Sequence, residues 1–283
     1  MLGRAVVRRL EQVGANVSAT ARDESRVGHR HTRFDSFSVG DSGLTTLLRG
    51  YGDGDFVVNC IGLIKHRLDD SNERDRLAAI QVNAEFPYRL AHVAEQQGFR
   101  IIQIATDCVY SGTTGSYDEE SPHDAHDVYG KTKSLGEVPS PQLLNLRCSI
   151  IGREIAGARS LVEWLLSQTH GTKIRGYTDH LWNGVTTQCF AEVTAGLVSS
   201  NTGLSGTFHL VPEDEMNKNE LSALILREFG RLDVTVIPTI TGDGIDRTLS
   251  TLHPNVNQRL WELGGYATPP SINQMVHALA KQG

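Results

Sequence analysis

Tyr129 and Lys133 stand four residues apart in Asp127-Val128-Tyr129-Gly130-Lys131-Thr132-Lys133, a spacing that puts both side chains on one face of a helix. A free phenol ionises near pH 10, too high for efficient proton exchange at neutrality, and a neighbouring ammonium lowers that value by favouring the phenolate. Tyr129 can then give a proton to a carbonyl oxygen or take one from a hydroxyl. A third group belongs with them. The β-branched, apolar run Ile101, Ile102, Ile104, Ala105 reads as a buried strand that ends on Thr106. Open α/β sheets bind ligands at the carboxyl ends of their strands, so the Thr106 hydroxyl is placed to hold the same oxygen. Thr106, Tyr129 and Lys133 are therefore the candidate catalytic set, for acid–base chemistry beside a hydride transfer. A Tyr-x-x-x-Lys pair alone is weak, because any amphipathic helix can carry one. Its position after that strand and before Ser134-Leu135-Gly136-Glu137 strengthens it.

The elements that must position these groups read as alternating helices and strands. Residues 1–13 carry Leu2, Val6, Val7, Leu10 and Val13 on one helical face, and Gly14 ends the helix. Strands follow at 15–20 and 31–39, a helix at 42–51, and a strong parallel strand at 55–62 that runs into Gly62. A long helix is expected over 69–97, with Asn83 interrupting its apolar face, and another strand over 143–151. This alternation predicts an α/β fold, a doubly wound parallel sheet with right-handed crossovers. Beyond Gly152 the pattern loosens. A short helix is expected at 160–168 with Leu161, Trp164 and Leu165 inward, a strand at 173–177, and a turn and helix start at 182–187. A return strand is expected at 206–211, and a helix capped by Asn217 with Glu220 three residues on. The division expected is a dinucleotide-binding domain from 1–152 and 187–212, with a smaller interleaved substrate lobe from 153–186 and 213–283.

Composition narrows the class. A chain of 283 residues with net charge −6 and pI near 6.0 argues against nucleic acid or an anionic membrane as partner. No apolar run approaches the roughly 20 residues that span a bilayer, and the amino terminus has no signal-peptide core. Cys60, Cys108, Cys148 and Cys189 are widely spaced in strand-like runs and read as reduced thiols of a cytoplasmic protein. The scattered histidines show no ligand spacing, so no metal site is expected. Arg22 follows the second strand of a dinucleotide unit, where an arginine accommodates the 2′-phosphate of NADP. NADPH is thus the expected cofactor, with NADH the alternative. Asp35 is placed to contact the adenine edge.

Taken together, Ala105-Thr106-Asp107-Cys108-Val109-Tyr110, Tyr129-Gly130-Lys131-Thr132-Lys133, Leu135-Gly136-Glu137 and Asn145-Leu146-Arg147-Cys148-Ser149-Ile150-Ile151-Gly152 resemble the extended short-chain dehydrogenase/reductase family. The nearest branch is the dTDP-4-dehydrorhamnose reductase group, acting on nucleotide-linked 4-ketosugars in deoxysugar or surface-polysaccharide biosynthesis. The resemblance covers most of the chain, more sharply its first half. It implies that Cys60, Ile61 and Gly62 face the cofactor ribose and pyrophosphate, that Lys133 also binds the nicotinamide ribose with Tyr129 beside it, and that Asn83 braces the active-site strand. It makes the smaller lobe the cover over a nucleotide sugar, with Asn183 lining it and Arg247 the best candidate for the diphosphate. An Asp246–Arg247 surface pair is the competing reading. A homodimer is compatible with the family. Alternatives are an epimerase or dehydratase, disfavoured because Asp107-Cys108 replaces the dehydratase's Asp-Glu pair, or a non-catalytic subunit like that of methionine adenosyltransferase.

One expected part is missing. A dinucleotide fold opens with a strand and a glycine-rich turn against a helix amino terminus. Here Met1-Leu2-Gly3 leads directly into the helix, so Gly3 reads as the third glycine, with the first strand and first two glycines lacking. The expectation is a sheet with a gap, or a shifted strand filling it. Met1 would be an internal methionine of a longer protein, and NADPH binding by this chain would be weak.

Overall fold

The computed structural model describes residues 1–21, 33–40, 42–154 and 157–281. Its first half contains α1 (Leu2–Gln12), β1 (Ser18–Ala21), β2 (Arg33–Ser36), α2 (Leu44–Leu47), β3 (Phe56–Asn59), α3 (Glu73–Ala79), α4 (Phe86–Gln97), β4 (Arg100–Ala105), α5 (Val128–Leu135) and β5 (Leu143–Arg147). The second half contains β6 (Ile150–Ile151), α6 (Leu161–Leu166), β7 (Lys173–Tyr177), β8 (His180–Trp182), β9 (Val185–Thr186), α7 (Thr187–Ser200), β10 (Gly206–His209), β11 (Met216–Asn217), α8 (Lys218–Glu228), β12 (Thr235–Thr239), β13 (Ile245–Asp246), α9 (Pro254–Leu263) and α10 (Ile272–Ala280).

The central sheet runs β10-β5-β4-β3, every pair parallel. Adjacent β4 residues point into different layers. Ile102 joins Leu2, Val6 and Leu10 of α1 and Phe190 of α7 on one face, whereas Ile101 joins Phe86, Leu90 and Ala94 of α4 on the other. That is the two-faced burial a continuous apolar strand demands. Register is pinned by a buried amide ladder. Asn59 Nδ2 donates to Gln103 Oε1 at 2.9 Å, Gln103 Nε2 donates to Asn145 Oδ1 at 3.0 Å, and Asn145 Nδ2 reaches Thr207 Oγ1 at 3.2 Å. These residues are register partners across all four strands, so a slip by one residue would break every rung.

β1 and β2 pair with each other, in parallel, but form a separate sheet. Between β1 and β3 lies a cavity of about 580 Å³, lined by both strands, by α1, and by apolar side chains such as Leu48 and Phe86 from the opposite face.

Several elements differ from the sequence expectation. The long helix over 69–97 is three segments, because residues Ile80–Glu85 form a π-helical turn around Asn83. The helix over 42–51 contains only the single turn α2. The segment 182–186, expected as a turn and helix start, supplies the ends of β8 and β9, and Thr186 then caps α7 by accepting from the Cys189 amide. Trp164 is exposed and not inward; Val162 and Leu165 carry the buried face of α6. Asn217 and Glu220 form the expected capping box at α8. Among the described residues no helix is long and apolar enough to cross a membrane.

Candidate active site

Thr106 leaves β4 in extended conformation and caps the turn that follows, its hydroxyl accepting from the Cys108 amide at 3.2 Å and donating to Asp107 Oδ1 at 3.1 Å. Asp127 starts α5 by accepting from the Gly130 amide at 2.8 Å, and is itself paired with Lys65 at 2.8 Å. Gly130 is required here. A Cβ at that position would stand 2.3 Å from the Cys108 carbonyl oxygen and 2.4 Å from Ala125 Cβ, so only glycine lets the first turn of α5 press against the 107–109 turn. Gly136 does the same at the other end, where a Cβ would fall 1.9 Å from the Asn83 carbonyl oxygen. The Gly136 carbonyl also accepts from Gln103 Nε2 at 2.7 Å, so the sheet's amide ladder holds α5 directly.

This close packing brings Tyr129 beside Thr106, whose hydroxyl favours the phenolate, but burial outweighs it and pushes the phenol up, with Cys108, Asp107 and Asp127 adding to the rise. The sequence expectation that Lys133 lowers the Tyr129 pKa is corrected. The Lys133 ammonium is directed at the sheet and donates to the Ile104 carbonyl at 2.8 Å. Burial pulls its own pKa down, opposed by Glu137, Cys148 and Cys60. Cys108, next to Thr106, is pushed by burial to about 12 and remains a neutral thiol.

Asn83 braces this region, though through α5 and the turn after β3 and not through the strand that ends at Thr106. Its side chain accepts from the Leu63 amide at 2.8 Å and donates to the Leu63 carbonyl at 3.0 Å and to Thr132 Oγ1 at 3.2 Å, joining the turn after β3 to the helix that carries Tyr129 and Lys133. Within that turn Asn59 Oδ1 accepts from the Ile61 amide at 3.1 Å. A Cβ on Gly62 would meet nothing closer than Asn83 Oδ1 at 3.6 Å. Gly3 and Cys60 face each other, a Cβ on Gly3 lying 3.5 Å from Cys60 Cβ, so the start of α1 sits at the carboxyl end of β3. Asp35 lies on β2 opposite Thr20. Arg22 falls outside the described residues.

Both substrate candidates make contacts within the chain. Asn183 donates to the Leu249 carbonyl at 2.7 Å and accepts from its N–H at 2.9 Å, so it ties two segments of the lobe together. Arg247 is not paired with Asp246, whose Oδ1 accepts from the Thr248 amide and hydroxyl. Arg247 instead donates to the carbonyls of Tyr110 at 2.8 Å and Ser111 at 3.0 Å, clamping the loop beyond Thr106 and leaving one terminal nitrogen of its fork.

Two features escaped the sequence reading. Arg147, at the end of β5, is a buried hub. It pairs with Glu137 through two contacts of 3.0 and 2.6 Å, donates to Tyr110 Oη at 2.6 Å, and reaches Nε2 of His209 at 2.7 Å and of His123 at 3.0 Å. Because a guanidinium only donates, both Nε2 atoms must accept, which puts the histidine protons on Nδ1, facing the Ser250 carbonyl and Ser134 Oγ. Burial, with the Arg147 charge, brings the His209 pKa down to about 4. The second feature is Lys218, the first residue of α8, whose ammonium lies 5.1 Å from the centre of the Trp182 ring. Burial brings it down to about 8, against the opposing charge of Asp107. Nothing in its local sequence marks it, since its neighbours come from other elements.

A family model described as the RmlD substrate binding domain matches residues 1–250. The spore coat polysaccharide biosynthesis protein SpsK of Bacillus subtilis (strain 168) is 24% identical over 270 residues, covering 93% of this chain and 88% of that protein. A dTDP-4-dehydrorhamnose reductase of Streptomyces griseus is 31% identical over 138 residues, covering 48% of this chain and 40% of that protein. Among solved structures, dTDP-4-dehydrorhamnose reductase from Bacillus anthracis str. Ames in complex with NADP superposes with a TM-score of 0.71 at 17% identity, covering 94% of this chain and 99% of that one. At that identity the likeness is one of fold.

Proposed function

Because the chain belongs to the RmlD substrate binding domain family, we propose that it is an NADPH-dependent reductase of a nucleotide-linked 4-ketosugar, serving deoxysugar or surface-polysaccharide biosynthesis in the cytoplasm. The observation that carries this reading is the Thr106–Tyr129 juxtaposition at the carboxyl end of β4, enforced by Gly130. Small or backbone groups surround the space at the ends of β3 and β4, since Gly3, Cys60 and Gly62 project little into it, and this fits a dinucleotide lying there. When bound, the nicotinamide supplies the hydride that goes to the keto carbon.

The chain's own residues do the rest. Tyr129, with its pKa raised by burial, is fully protonated at neutral pH and is the acid that protonates the developing alkoxide. Thr106 aligns that oxygen. Lys133 spends one of its three donors on Ile104 and keeps two for the ribose hydroxyls beside Tyr129. Asp107 beside Thr106 is followed by the neutral thiol of Cys108 and not by a second carboxylate, so the Asp-Glu pair of a dehydratase is lacking, which favours plain reduction over dehydration. On the substrate side Lys218, resting on Trp182 and without a hydrogen-bond acceptor among the described residues, is the cation we assign to the nucleotide diphosphate, ahead of Arg247, which already spends two of its five donors on the loop at 110–111.

The test is NADPH oxidation with a panel of dTDP- and UDP-linked 4-ketosugars. Turnover by the wild type is expected, with a loss of about 10²- to 10⁴-fold in Tyr129→Phe at unchanged fold. Full turnover by Tyr129→Phe would overturn the mechanism, and no turnover with any of the sugars at saturating NADPH would favour a non-catalytic role.

A further inference from the structure

The hydroxyl of Tyr117 meets more donors than a neutral phenol can serve. It accepts from three successive backbone amides, those of Gly112 at 3.1 Å, Thr113 at 3.0 Å and Thr114 at 3.2 Å. Among the described residues its own proton can go only to Ser111 Oγ, which at 3.4 Å is long for an O–H···O bond. Ser111 Oγ in turn gives its hydrogen to Asp124 Oδ2 at 2.6 Å. Converging backbone amides form a nest for an anion, and the anion seated here is an oxygen of the chain itself. Burial of the ring opposes ionisation, but hydrogen bonds from Ser111, Thr114 and Thr113 more than reverse it and bring the Tyr117 phenol down to about 8. Burial pushes Tyr110, Tyr129 and Tyr266 the other way.

The loop that this nest closes is the one on which the segment 245–250 rests. The Asp246 amide donates to the Gly112 carbonyl at 2.8 Å, the Ser116 amide to Thr248 Oγ1 at 3.0 Å, the Tyr117 amide to the Thr248 carbonyl at 2.9 Å, and the Ser250 amide to the Tyr117 carbonyl at 2.8 Å. Arg247 reaches the Tyr110 and Ser111 carbonyls from the same segment. The fit leaves no slack: a Cβ on Gly112 would stand 2.8 Å from Ile245 Cγ2, and one on Gly115 2.1 Å from Asp246 Oδ2. Three carboxylates surround the phenol, Asp124 through Ser111, Asp118 next in the chain, and Asp246 against Gly115. Arg247 lies against Gly112, and Tyr110 stacks on the ring at 4.3 Å with Arg147 and His123 beyond it. Leu249 and Val211 complete the apolar surround. The acids oppose a negative phenol and the arginines favour it, so the three amides decide.

We propose that Tyr117 is a positioning residue: as a phenolate seated on the amides of 112–114 it locks the 111–117 loop into one shape, and so sets where Arg247 and its segment stand relative to Thr106. The lock itself does not depend on the reductase reading; its effect on substrate rests on that reading.

Tyrosinate absorbance, followed from neutrality to a pH of about 10, tests the ionisation. One of the seven tyrosines should ionise with a midpoint near pH 8, and the step should vanish in Tyr117→Phe. No such step, or one that persists in the variant, would overturn the proposal. If Tyr117→Phe fails to fold, a ring-fluorinated tyrosine placed at 117 keeps the ring and its oxygen; its fluorine resonance should titrate well below the free amino acid, and titration together with it would be equally decisive. Because the folded phenol ionises below the unfolded one, the stability it adds is whole above pH 10 and is lost as pH falls through 8. The gap in melting temperature between wild type and Tyr117→Phe should therefore widen from about pH 8 to 10, and a constant gap would overturn the lock. With a nucleotide-linked 4-ketosugar, the ratio of the variant's KM to that of the wild type should grow severalfold over the same range; the ratio is taken because Lys218 also titrates near 8 and cancels in it. A flat ratio would overturn the positioning role. Absence of any turnover would count against the reductase reading alone, since absorbance and melting still decide the lock.

Discussion

The two sides of β3 are built to different standards. Toward β4, β5 and β10 the polar groups at the site are matched: Gln103 serves three partners, Arg147 holds five contacts, and glycines at 130 and 136 let the catalytic helix touch neighbouring backbone. Toward β1 the sheet opens into a cavity bordered by unpaired strand edges. Proton chemistry needs groups held to fractions of an ångström, and the groups proposed for it sit on the sealed side.

Removing Arg147 attacks the sealed side hardest. Arg147→Ala strands the buried Glu137 carboxylate and should cost about 3–5 kcal/mol in urea unfolding. A loss below about 1 kcal/mol would mean that water replaces the guanidinium and that this side is less closed than described. Acid should act on the same hub. His209 is neutral in the fold with a pKa near 4, against 6.5 for an unperturbed histidine. Above pH 6.5 neither the folded nor the unfolded chain binds the proton, and stability is whole. As pH falls from 6.5 toward 4 only the unfolded chain takes it up, and about 3 kcal/mol should be lost. Titration of His209 by NMR near 6.5 in the folded protein would contradict this.

Gln103→Leu removes the middle rung of the ladder and leaves Asn59, Asn145 and the Gly136 carbonyl short of partners. A destabilisation of about 1–3 kcal/mol is expected, accompanied by slower turnover because α5 loses its tie to the sheet. The smallest effect belongs to the open side. Val58→Ala, at a half-buried residue lining the cavity, should cost no more than about 1 kcal/mol, whereas Ile102→Ala, fully buried one strand away, should cost about 2–5. Equal costs would erase the contrast.

Much of this was legible in the residues. The i, i+4 spacing of Tyr129 and Lys133 and the apolar run before Thr106 are local patterns, and local patterns survive folding. Asn217 and Glu220 likewise capped their helix as read. What could not be read depends on residues far apart in the chain. Lys133 points at Ile104 because the sheet offers a carbonyl there, so its expected effect on Tyr129 did not follow from spacing. Asn183 is taken by Leu249, 66 positions away, and Arg247 by the loop at 110–111. Arg147 and Glu137 stood inside the segments that carried the family resemblance, yet only the fold supplied their two histidine partners. Trp164 was misjudged because the apolar face of α6 is carried by Val162 and Leu165.

The central claim is that Tyr129 protonates, and Thr106 aligns, a sugar carbonyl that receives hydride from NADPH. Its most direct test follows deuterium from NADPH labelled at nicotinamide C4 into a nucleotide-linked 4-ketosugar. The account predicts deuterium at C4 of the product sugar, with the rate falling about 10²- to 10⁴-fold in Tyr129→Phe. Oxidation of NADPH without deuterium at C4, or undiminished transfer by Tyr129→Phe, would contradict it.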